Sequence, residues 1–434
     1  MTEWKNRLRE KEFWLKAGLF LLIFGSIAAC DPLLHNAFWL WKGEIAAVVN
    51  FWRLVFPYAV LLSFLIFAVR RKGRLNYGAL AFLVLLYGCY ILSTALNGGN
   101  MEMPLSLFRN TFQMFLLACL CCGSKEGKRL YIKAGADVFW LVALANLLLV
   151  FVLFRLHPEY TLIDGQYQES FTGNKNQFGF VLYIGMLYCL LDAHLFPGRS
   201  SKLRLWLYVP LMLLNAYAFH KCATLLIGAA ILTLYMLPPL RKLTEKIPFW
   251  VFLVGNILLF VLLMFFFDEF TALPPVVFLV TKVLHKKITL TGRVFIWQGI
   301  LEEILQHPIR GYGMLGSSFF FDDVYNHTFV HCHNQYLQTW HEAGLPGLLS
   351  LPVLLGFTGF RLRRCSDRRL AGIFKIILFV LMLTLQSDQN TFCACYLLAI
   401  TAHLGVLLTA EGRSWTCPGG ADIAAAKQHE PSDL

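Results

Sequence analysis

Long runs of apolar residues alternate along the chain with short polar connections. Many of these runs approach the roughly 20 residues that an α-helix needs to cross a lipid bilayer. The pattern therefore predicts about twelve membrane-spanning helices. In chain order, the predicted spans cover residues 14–30, 54–69, 78–96, 106–122, 137–154, 177–195, 205–219, 222–239, 248–267, 344–360, 372–387 and 391–410.

The composition of the chain changes this picture little. Of its 434 residues, 57% are hydrophobic and 15% are charged, whereas a typical soluble domain carries about 25% charged residues. We therefore expect an all-α polytopic membrane protein. The net charge is +12, but the Lys and Arg residues cluster between apolar runs. Membrane topology accounts for such clusters, and we expect no nucleic-acid partner.

Basic connections alternate with connections that are poor in Lys and Arg. The poor connections include residues 31–50, 97–104 and 387–390. Because positive charge marks cytoplasmic connections, we expect both termini in the cytoplasm and the poor connections on the external face. The first apolar run lacks a convincing cleavage site and is predicted to be a retained anchor. The basic connections are 70–74, 125–129, 199–204, 241–246 and 361–369.

The connection between the ninth and tenth predicted spans is unusually long and falls on the external face. We expect spans 1–9 within residues 1–267, a partly helical external catalytic loop at 268–343, spans 10–12 at 344–410, and a cytoplasmic tail at 411–434. Within the loop, "GRVFIWQGILEEILQHP" has apolar residues at helical spacing, and "GYGMLG" predicts a turn. A second helix should follow and stop at Gly344.

Polar chemistry concentrates in the stretch "VHCHNQYLQTWHEAGLPG" near the end of this loop. His333 lies beside Asn334 near the predicted helix start, where an imidazole could accept a proton from an attacking hydroxyl. His327 and His341 are interpreted as loop or interface side chains. The H-E-x-x-H spacing is absent, so we expect no metal site. A metal-dependent hydrolase, which chelators would inactivate, stays a minor alternative.

Isolated cations on the external side indicate an anionic substrate. Arg293 opens a predicted helix, and a helix N-terminus favours phosphate groups. Lys221 lies in a very short connection between two spans, and Lys175 lies in "GNKNQFG". Snorkelling toward the membrane surface is the alternative role for Lys221. Together the cations predict a substrate that carries phosphate or pyrophosphate at the outer leaflet.

Three stretches resemble the O-antigen ligase and polymerase superfamily. "HNQYLQTWHEAGLPG" reads His-Asn, nine residues, Gly, two residues, Gly, which resembles the family signature. "GRVFIWQGILEEILQHPIRGYGMLG" is similar to the family's Arg-x3-Trp, His-Pro and Gly-x-Gly segment. "SFTGNKNQFGFVL" resembles its Gly-x-x-Asn start of a middle span. The predicted order of spans, with one large external loop, fits as well.

The resemblance implies a glycosyltransferase of the bacterial inner membrane. Its substrate would be a glycan on an undecaprenyl-pyrophosphate carrier, moved to an acceptor hydroxyl at the outer face without a cofactor or a metal. A ligase-like reaction with a lipid A–core-like acceptor is favoured, and a repeat-unit polymerase that uses a glycan acceptor is the alternative. Membrane lipids are further partners. A transporter or flippase is the alternative of another class.

The resemblance also implies roles for single residues. His333 matches the family's essential histidine, the expected general base, and Arg293 matches an arginine that contacts the pyrophosphate. Lys221 stands where the family usually has an arginine; it keeps the charge but loses the bidentate fork. Lys175 adds a further cation. The side chains expected to bind sugars or to support the site are Asn334, Gln338, Glu342, Asn176 and Trp297.

Overall fold

The structure is a computed structural model. It describes residues 2–29, 55, 77–153, 162–163, 166–167, 169–170, 173–219, 222–283, 293–314, 320–322, 327–329, 332–386 and 394–409. Nearly all of the predicted span 54–69, the Lys221 position and the predicted tail 411–434 lie outside these residues.

The described chain is mainly α-helical, as the apolar runs predicted. Two short π-helical turns, Leu149–Leu153 and Leu279–Val283, accompany the α-helices. The α-helices are α1 (Thr2–Ala29), α2 (Tyr77–Leu96), α3 (Glu102–Cys122), α4 (Lys125–Leu148), α5 (Lys175–Leu195), α6 (Arg199–Ala218), α7 (Ala223–Tyr235), α8 (Pro238–Lys246), α9 (Phe249–Phe265), α10 (Phe267–Thr271), α11 (Pro274–Phe278), α12 (Arg293–Gln306), α13 (Gln335–Arg363), α14 (Arg368–Leu385) and α15 (Ala394–Thr409).

Three antiparallel hairpins of two strands each interrupt the helices. They occur only in the two long connections, before α5 and between α12 and α13, within the described chain. Each strand is two or three residues long, so the hairpins add no sheet to the core. The strands are β1 (Leu162–Ile163) with β2 (Gln166–Tyr167), β3 (Glu169–Ser170) with β4 (Gly173–Asn174), and β5 (Phe320–Asp322) with β6 (His327–Phe329).

Several helices are long and apolar enough to cross a membrane. Within the described residues there are 4 such helices, or up to 5 if the bent pair α7–α8 forms one span. Shorter apolar helices cover Leu83–Leu96, Phe249–Phe265 and Leu398–Thr409. A polytopic membrane protein is thereby supported, whereas the total of about twelve spans stays a prediction.

Helix α5 forms the centre of the bundle. Its apolar segment Phe178–Leu195 is 83% buried, the largest buried fraction among the candidate spans. A helix that is apolar on all sides is expected in such a position. Hydroxyl groups fix its neighbours: Tyr208 on α6 donates to the Leu182 carbonyl, and Tyr188 on α5 donates to Tyr131 on α4, each over 2.9 Å.

The two ends of the bundle differ in their chemistry. At one end, the His194 ring at the end of α5 lies 2.7 Å from the Asp367 carboxylate, which caps α14. At the other end, the start of α13 meets the end of α14. Phe178 in the first turn of α5 packs there against Phe219, with ring centroids 6.2 Å apart. The starts of α5 and α13, the end of α14 and the α6–α7 turn therefore share this second end.

Candidate functional site

Helix α13 bends sharply at Gly344, where φ is 68° and ψ is −178°. The bend confirms the helix stop that the sequence predicted at this residue. It leaves the carbonyl groups of His341 and Glu342 available to a neighbouring segment. The backbone N–H groups of Tyr312 and Gly313 donate to these two carbonyls over 2.7 and 3.0 Å. The "GYG" turn is therefore anchored on the bend of α13.

Only glycine fits at Gly344. Its positive φ disfavours any residue with a side chain. An added Cβ atom would also collide with the carbonyl oxygen of Ile309. At Gly347, an added Cβ would collide with the Cβ of Ala343. Gly344 thus serves the close contact between the loop and α13, whereas Gly347 allows close packing within α13 itself.

His333 adopts a left-handed backbone conformation with φ 51°. Among the described residues it is the only one other than glycine with a positive φ. This conformation costs roughly 1–2 kcal/mol for an L-residue, and it persists only where the surroundings impose it. The side chain is partly exposed. His333 is therefore presented at the surface of a turn that its neighbours hold in place.

The preceding residue, Cys332, is fully buried and bound on several sides. Its carbonyl accepts a hydrogen bond from Trp297 Nε1 over 2.9 Å, and its N–H donates to Gln338 Oε1 over 3.3 Å. Gln338 is held in turn by Glu342, because Gln338 Nε2 donates to Glu342 Oε1 over 2.8 Å. Burial raises the pKa of the Cys332 thiol, which stays protonated and donates to the Asn334 carbonyl.

The following residue, Asn334, caps the N-terminus of α13. Its Oδ1 accepts hydrogen bonds from the N–H groups of Tyr336 and Leu337 over 2.9 and 3.1 Å. Its Nδ2 donates to the Gln386 carbonyl at the end of α14 over 2.8 Å. Both neighbours of His333 are thus fixed to other helices, Cys332 to α12 and Asn334 to α14.

A buried polar network continues from Asn334 into the bundle. Gln386 Nε2 donates to the Asn256 carbonyl over 3.0 Å, and the Tyr336 hydroxyl donates to Asn256 Oδ1 over 2.9 Å. Asn256 lies within the apolar helix α9 and is 3% exposed. Asn256 and Gln386 were not predicted from the sequence. The signal for Asn256 was available, since a polar residue inside an apolar span usually has a specific role.

Arg293 is the first residue of α12 and is partly exposed. Residues four apart on a helix share a face, so Arg293 and Trp297 lie on the same side of α12. The rise between them is about 6 Å. Because Trp297 binds the turn that carries His333, the start of α12 lies next to that turn. The Trp297 ring itself is 2% exposed and packs inside the protein.

His341 occupies an interface, as the sequence predicted. It is buried at 1% exposure, its Nε2 lies 3.3 Å from Glu303 Oε2 on α12, and its ring stacks on Tyr312 at 4.6 Å. His327 lies in strand β6. Among the described residues, no three His, Cys, Asp or Glu side chains converge in a way that could hold a metal ion.

The structure describes the other predicted cations, Lys175 and Lys221, only in part. The backbone of Lys175 and Asn176 forms the start of α5, whereas their side chains and the whole of Lys221 lie outside the described residues. Phe219 and Cys222 flank the Lys221 position, and Phe219 packs against the first turn of α5. The structure therefore brings the backbone before Lys221 close to the backbone after Lys175.

The fold and the site define an α-helical membrane protein with a histidine-bearing turn held between three helices. Residues 207–352 match a protein-family model described as O-antigen ligase. This match covers about a third of the chain and supports the O-antigen ligase and polymerase superfamily. It includes the two later motifs of the resemblance, whereas "SFTGNKNQFGFVL" lies before the matched segment. Neither the search of curated proteins nor the search of solved structures found a match.

The matched segment contains the candidate site almost whole. It includes Lys221, Arg293, Trp297 and the turn around His333, and it ends five residues after Gly347. The match supports an enzyme of glycan ligase or polymerase type.

Proposed function

We propose that the protein transfers a glycan from an undecaprenyl-pyrophosphate carrier to an acceptor hydroxyl at the outer face of a bacterial inner membrane. His333 is the general base of this reaction. The observation that carries the proposal is the strained, partly exposed conformation of His333 between two anchored neighbours. Backbone strain of this kind concentrates at functional sites.

In the proposed reaction, the imidazole of His333 takes the proton from the acceptor hydroxyl. The acceptor oxygen then forms a bond to the anomeric carbon, while the bond from that carbon to the pyrophosphate oxygen breaks. The carrier pyrophosphate leaves with the bonding electron pair, and the anomeric configuration inverts. A residue with a pKa near the working pH is suited to this proton transfer.

The leaving pyrophosphate needs positive charge close to its oxygens. Arg293 is the first candidate, because it lies at the start of α12 on the face that reaches the His333 turn through Trp297. Its guanidinium can bind a phosphate through two parallel hydrogen bonds. Lys221 and Lys175 belong to the same end of the bundle by sequence position, and we assign them to the same anion.

The other candidate residues fall into two groups. Asn334, Gln338, Glu342 and Trp297 are buried and engaged with the His333 turn, which supports a positioning role for them. Asn176 follows Lys175 at the start of α5, and we assign it to the sugar or the acceptor. No step of the proposed reaction requires a metal ion or a cofactor.

The proposal is tested by His333→Ala in cells that depend on the protein for their surface glycan. Transfer should be abolished while the amount of protein in the membrane is unchanged. His327→Ala, which changes a histidine of strand β6 to which we assign no role in transfer, serves as the matched control and should retain transfer. Full transfer by His333→Ala would eliminate this residue as the base.

A deletion strain distinguishes the two reactions of the superfamily. Loss of all long glycan identifies a polymerase. Carrier-linked polymer that accumulates without reaching its anchor identifies a ligase, which is the reaction we favour.

A further inference from the structure

Helix α8 leaves the direction of the preceding apolar helix α7 at an angle of 96°. Pro238 and Pro239 occupy its first two positions, where proline favours the start of a helix. Helix α7 contains no charged residue. The pair counts as one possible span with a break between its two helices. A helix at about a right angle to a membrane-crossing helix lies parallel to the membrane plane.

The surface of α8 divides into three strips. Thr244 is buried and faces the bundle. Leu240 and Leu243 are 38% and 52% exposed and follow each other at a spacing of three residues. Lys242 and Lys246, four residues apart, are exposed on a separate side. The helix thus has a strip of leucines and a strip of lysines, which is the pattern of a helix at a membrane interface.

The position of α8 is fixed by α14. Lys375 Nζ donates hydrogen bonds to the carbonyl oxygens of Glu245 and Ile247 over 3.0 and 2.8 Å. These contacts satisfy backbone groups at the end of α8, where helical partners are missing. Trp250 follows at the start of α9 and is 61% exposed. Exposed tryptophan side chains are typical of the membrane–water interface, so Trp250 indicates that α8 lies at the depth of this interface.

The charges on α8 favour an anionic partner. Arg241 Nε lies 3.8 Å from Glu245 Oε1, so these two charges face each other. Lys242 and Lys246 then supply the net positive charge of the helix. Helix α8 belongs to the basic connection 241–246, which the charge pattern places on the cytoplasmic side. The cytoplasmic leaflet carries anionic lipids, which attract lysines next to a membrane span.

We propose that α8 is an interfacial helix that binds anionic phospholipid headgroups of the adjacent leaflet. Lys242 and Lys246 contact the lipid phosphates, and Leu240 and Leu243 insert between the acyl chains below them. The bilayer therefore covers the leucine strip. This binding surface lies at the opposite end of the bundle from His333 and does not depend on the proposed transfer reaction.

Hydrogen–deuterium exchange of the full-length protein in lipid nanodiscs tests this proposal. The amides of α8 are compared between nanodiscs of phosphatidylethanolamine alone and nanodiscs that contain an equal amount of phosphatidylglycerol. Each lysine near an anionic surface strengthens binding about fivefold. Exchange in wild-type α8 should therefore be slower with phosphatidylglycerol than without it, by up to about 25-fold for amides that exchange only when the helix leaves the surface.

Two charge variants and one apolar variant test which residues of α8 cause the difference between the lipid compositions. Lys242→Gln combined with Lys246→Gln should abolish the difference between the two lipid compositions, whereas Lys202→Gln, an exposed lysine on α6, should retain it. Leu243→Ser should speed exchange in both compositions. Equal exchange of wild-type α8 in the two compositions would overturn the proposal, and so would a lipid difference that survives the double lysine variant.

Discussion

The indole Nε1 of Trp297 donates a hydrogen bond to the backbone carbonyl of Cys332 over 2.9 Å. Trp297 lies one turn after Arg293 on α12, and Cys332 immediately precedes His333. This single bond therefore links the start of α12 to the turn that carries the proposed base. Both partners are buried, so water does not compete for the bond.

Replacing Trp297 by phenylalanine should slow glycan transfer about fivefold. The variant keeps an aromatic ring but removes the donor, and one buried hydrogen bond contributes about 1 kcal/mol to holding the His333 turn. The measurement is the initial rate of transfer in isolated membranes, normalised to the amount of protein.

Trp340→Phe provides the matched control for this change. Trp340 Nε1 also donates to a backbone carbonyl, that of Pro308, over 3.0 Å. This bond does not reach the His333 turn, so the rate should change by less than about twofold, well below the effect of losing a positioning bond. An equal loss of rate in both variants would argue against a positioning role for Trp297.

Gly344→Ala should strongly destabilise the protein. The positive φ alone costs roughly 1–2 kcal/mol for alanine, and the new Cβ would collide with the Ile309 carbonyl. Because the "GYG" turn is anchored on this bend, transfer should be lost together with stability. Thermal unfolding of the purified protein in detergent measures the effect.

Gly356→Ala is the control within the same helix. An added Cβ at Gly356 meets no atom within 4 Å. Alanine is favoured over glycine inside a helix by roughly 0.5–1 kcal/mol, so this variant should unfold at the same temperature as the wild type or slightly above it. Equal unfolding temperatures for Gly344→Ala and the wild type would show that the bend tolerates a side chain.

Local features of the site could be predicted from the sequence because each has a local signal. Apolar periodicity predicted the helices, and glycine spacing predicted the turn at "GYG" and the end of the helix at Gly344. The position of His333 beside a helix start was predicted in the same way. These features depend on backbone preferences of neighbouring residues, which a single sequence carries.

The contacts that assemble the site could not be predicted, because no local sequence pattern indicates them. The backbone pairing of Gly313 with the Glu342 carbonyl joins residues 29 positions apart, and the bond from Asn334 to Gln386 joins residues 52 apart. Such contacts depend on how the helices pack against one another. The left-handed conformation of His333 is a result of this packing, and its residue type alone does not predict it.

Asn256 and Tyr336 should contribute to stability as a coupled pair. Asn256 Oδ1 accepts the Tyr336 hydroxyl hydrogen over 2.9 Å at a buried position. A double-mutant cycle of Asn256→Leu and Tyr336→Phe should give a coupling energy of about 0.6 kcal/mol, the average for hydrogen bonds between helices in membranes. Both single variants should also lower the transfer rate, because Tyr336 lies in the first turn of α13 beside the His333 turn.

Tyr131→Phe separates stability from positioning in this experiment. Tyr131 accepts a buried hydrogen bond from Tyr188 over 2.9 Å, in the α4–α5 contact. Loss of this hydrogen bond should lower the unfolding temperature while leaving the transfer rate per folded molecule unchanged.

For the Asn256 and Tyr336 pair, additive effects of the two variants on stability would contradict the proposed coupling.

The stability of the His194–Asp367 contact should depend on pH in a defined direction. Burial raises the pKa of the Asp367 carboxyl, but hydrogen bonds from the Leu370 N–H and the His194 ring lower it by more, so the net pKa lies below its usual value. The carboxylate therefore stabilises the folded protein above the unfolded pKa of about 3.9. This contribution is lost as the pH falls through the lower folded pKa.

Asp367→Asn isolates the charge, because asparagine still caps α14 through its side-chain oxygen. At pH 7 the variant should be less stable than the wild type by under about 1 kcal/mol, since charged contacts near the surface contribute little and the Asp367 side chain is 40% exposed. The difference should begin to shrink near pH 4 and close below the lower folded pKa. Asp367→Ala, which also removes the cap, should stay less stable than the wild type at acid pH. If the stability difference between Asp367→Asn and the wild type does not vary with pH, the carboxylate charge is excluded as its source.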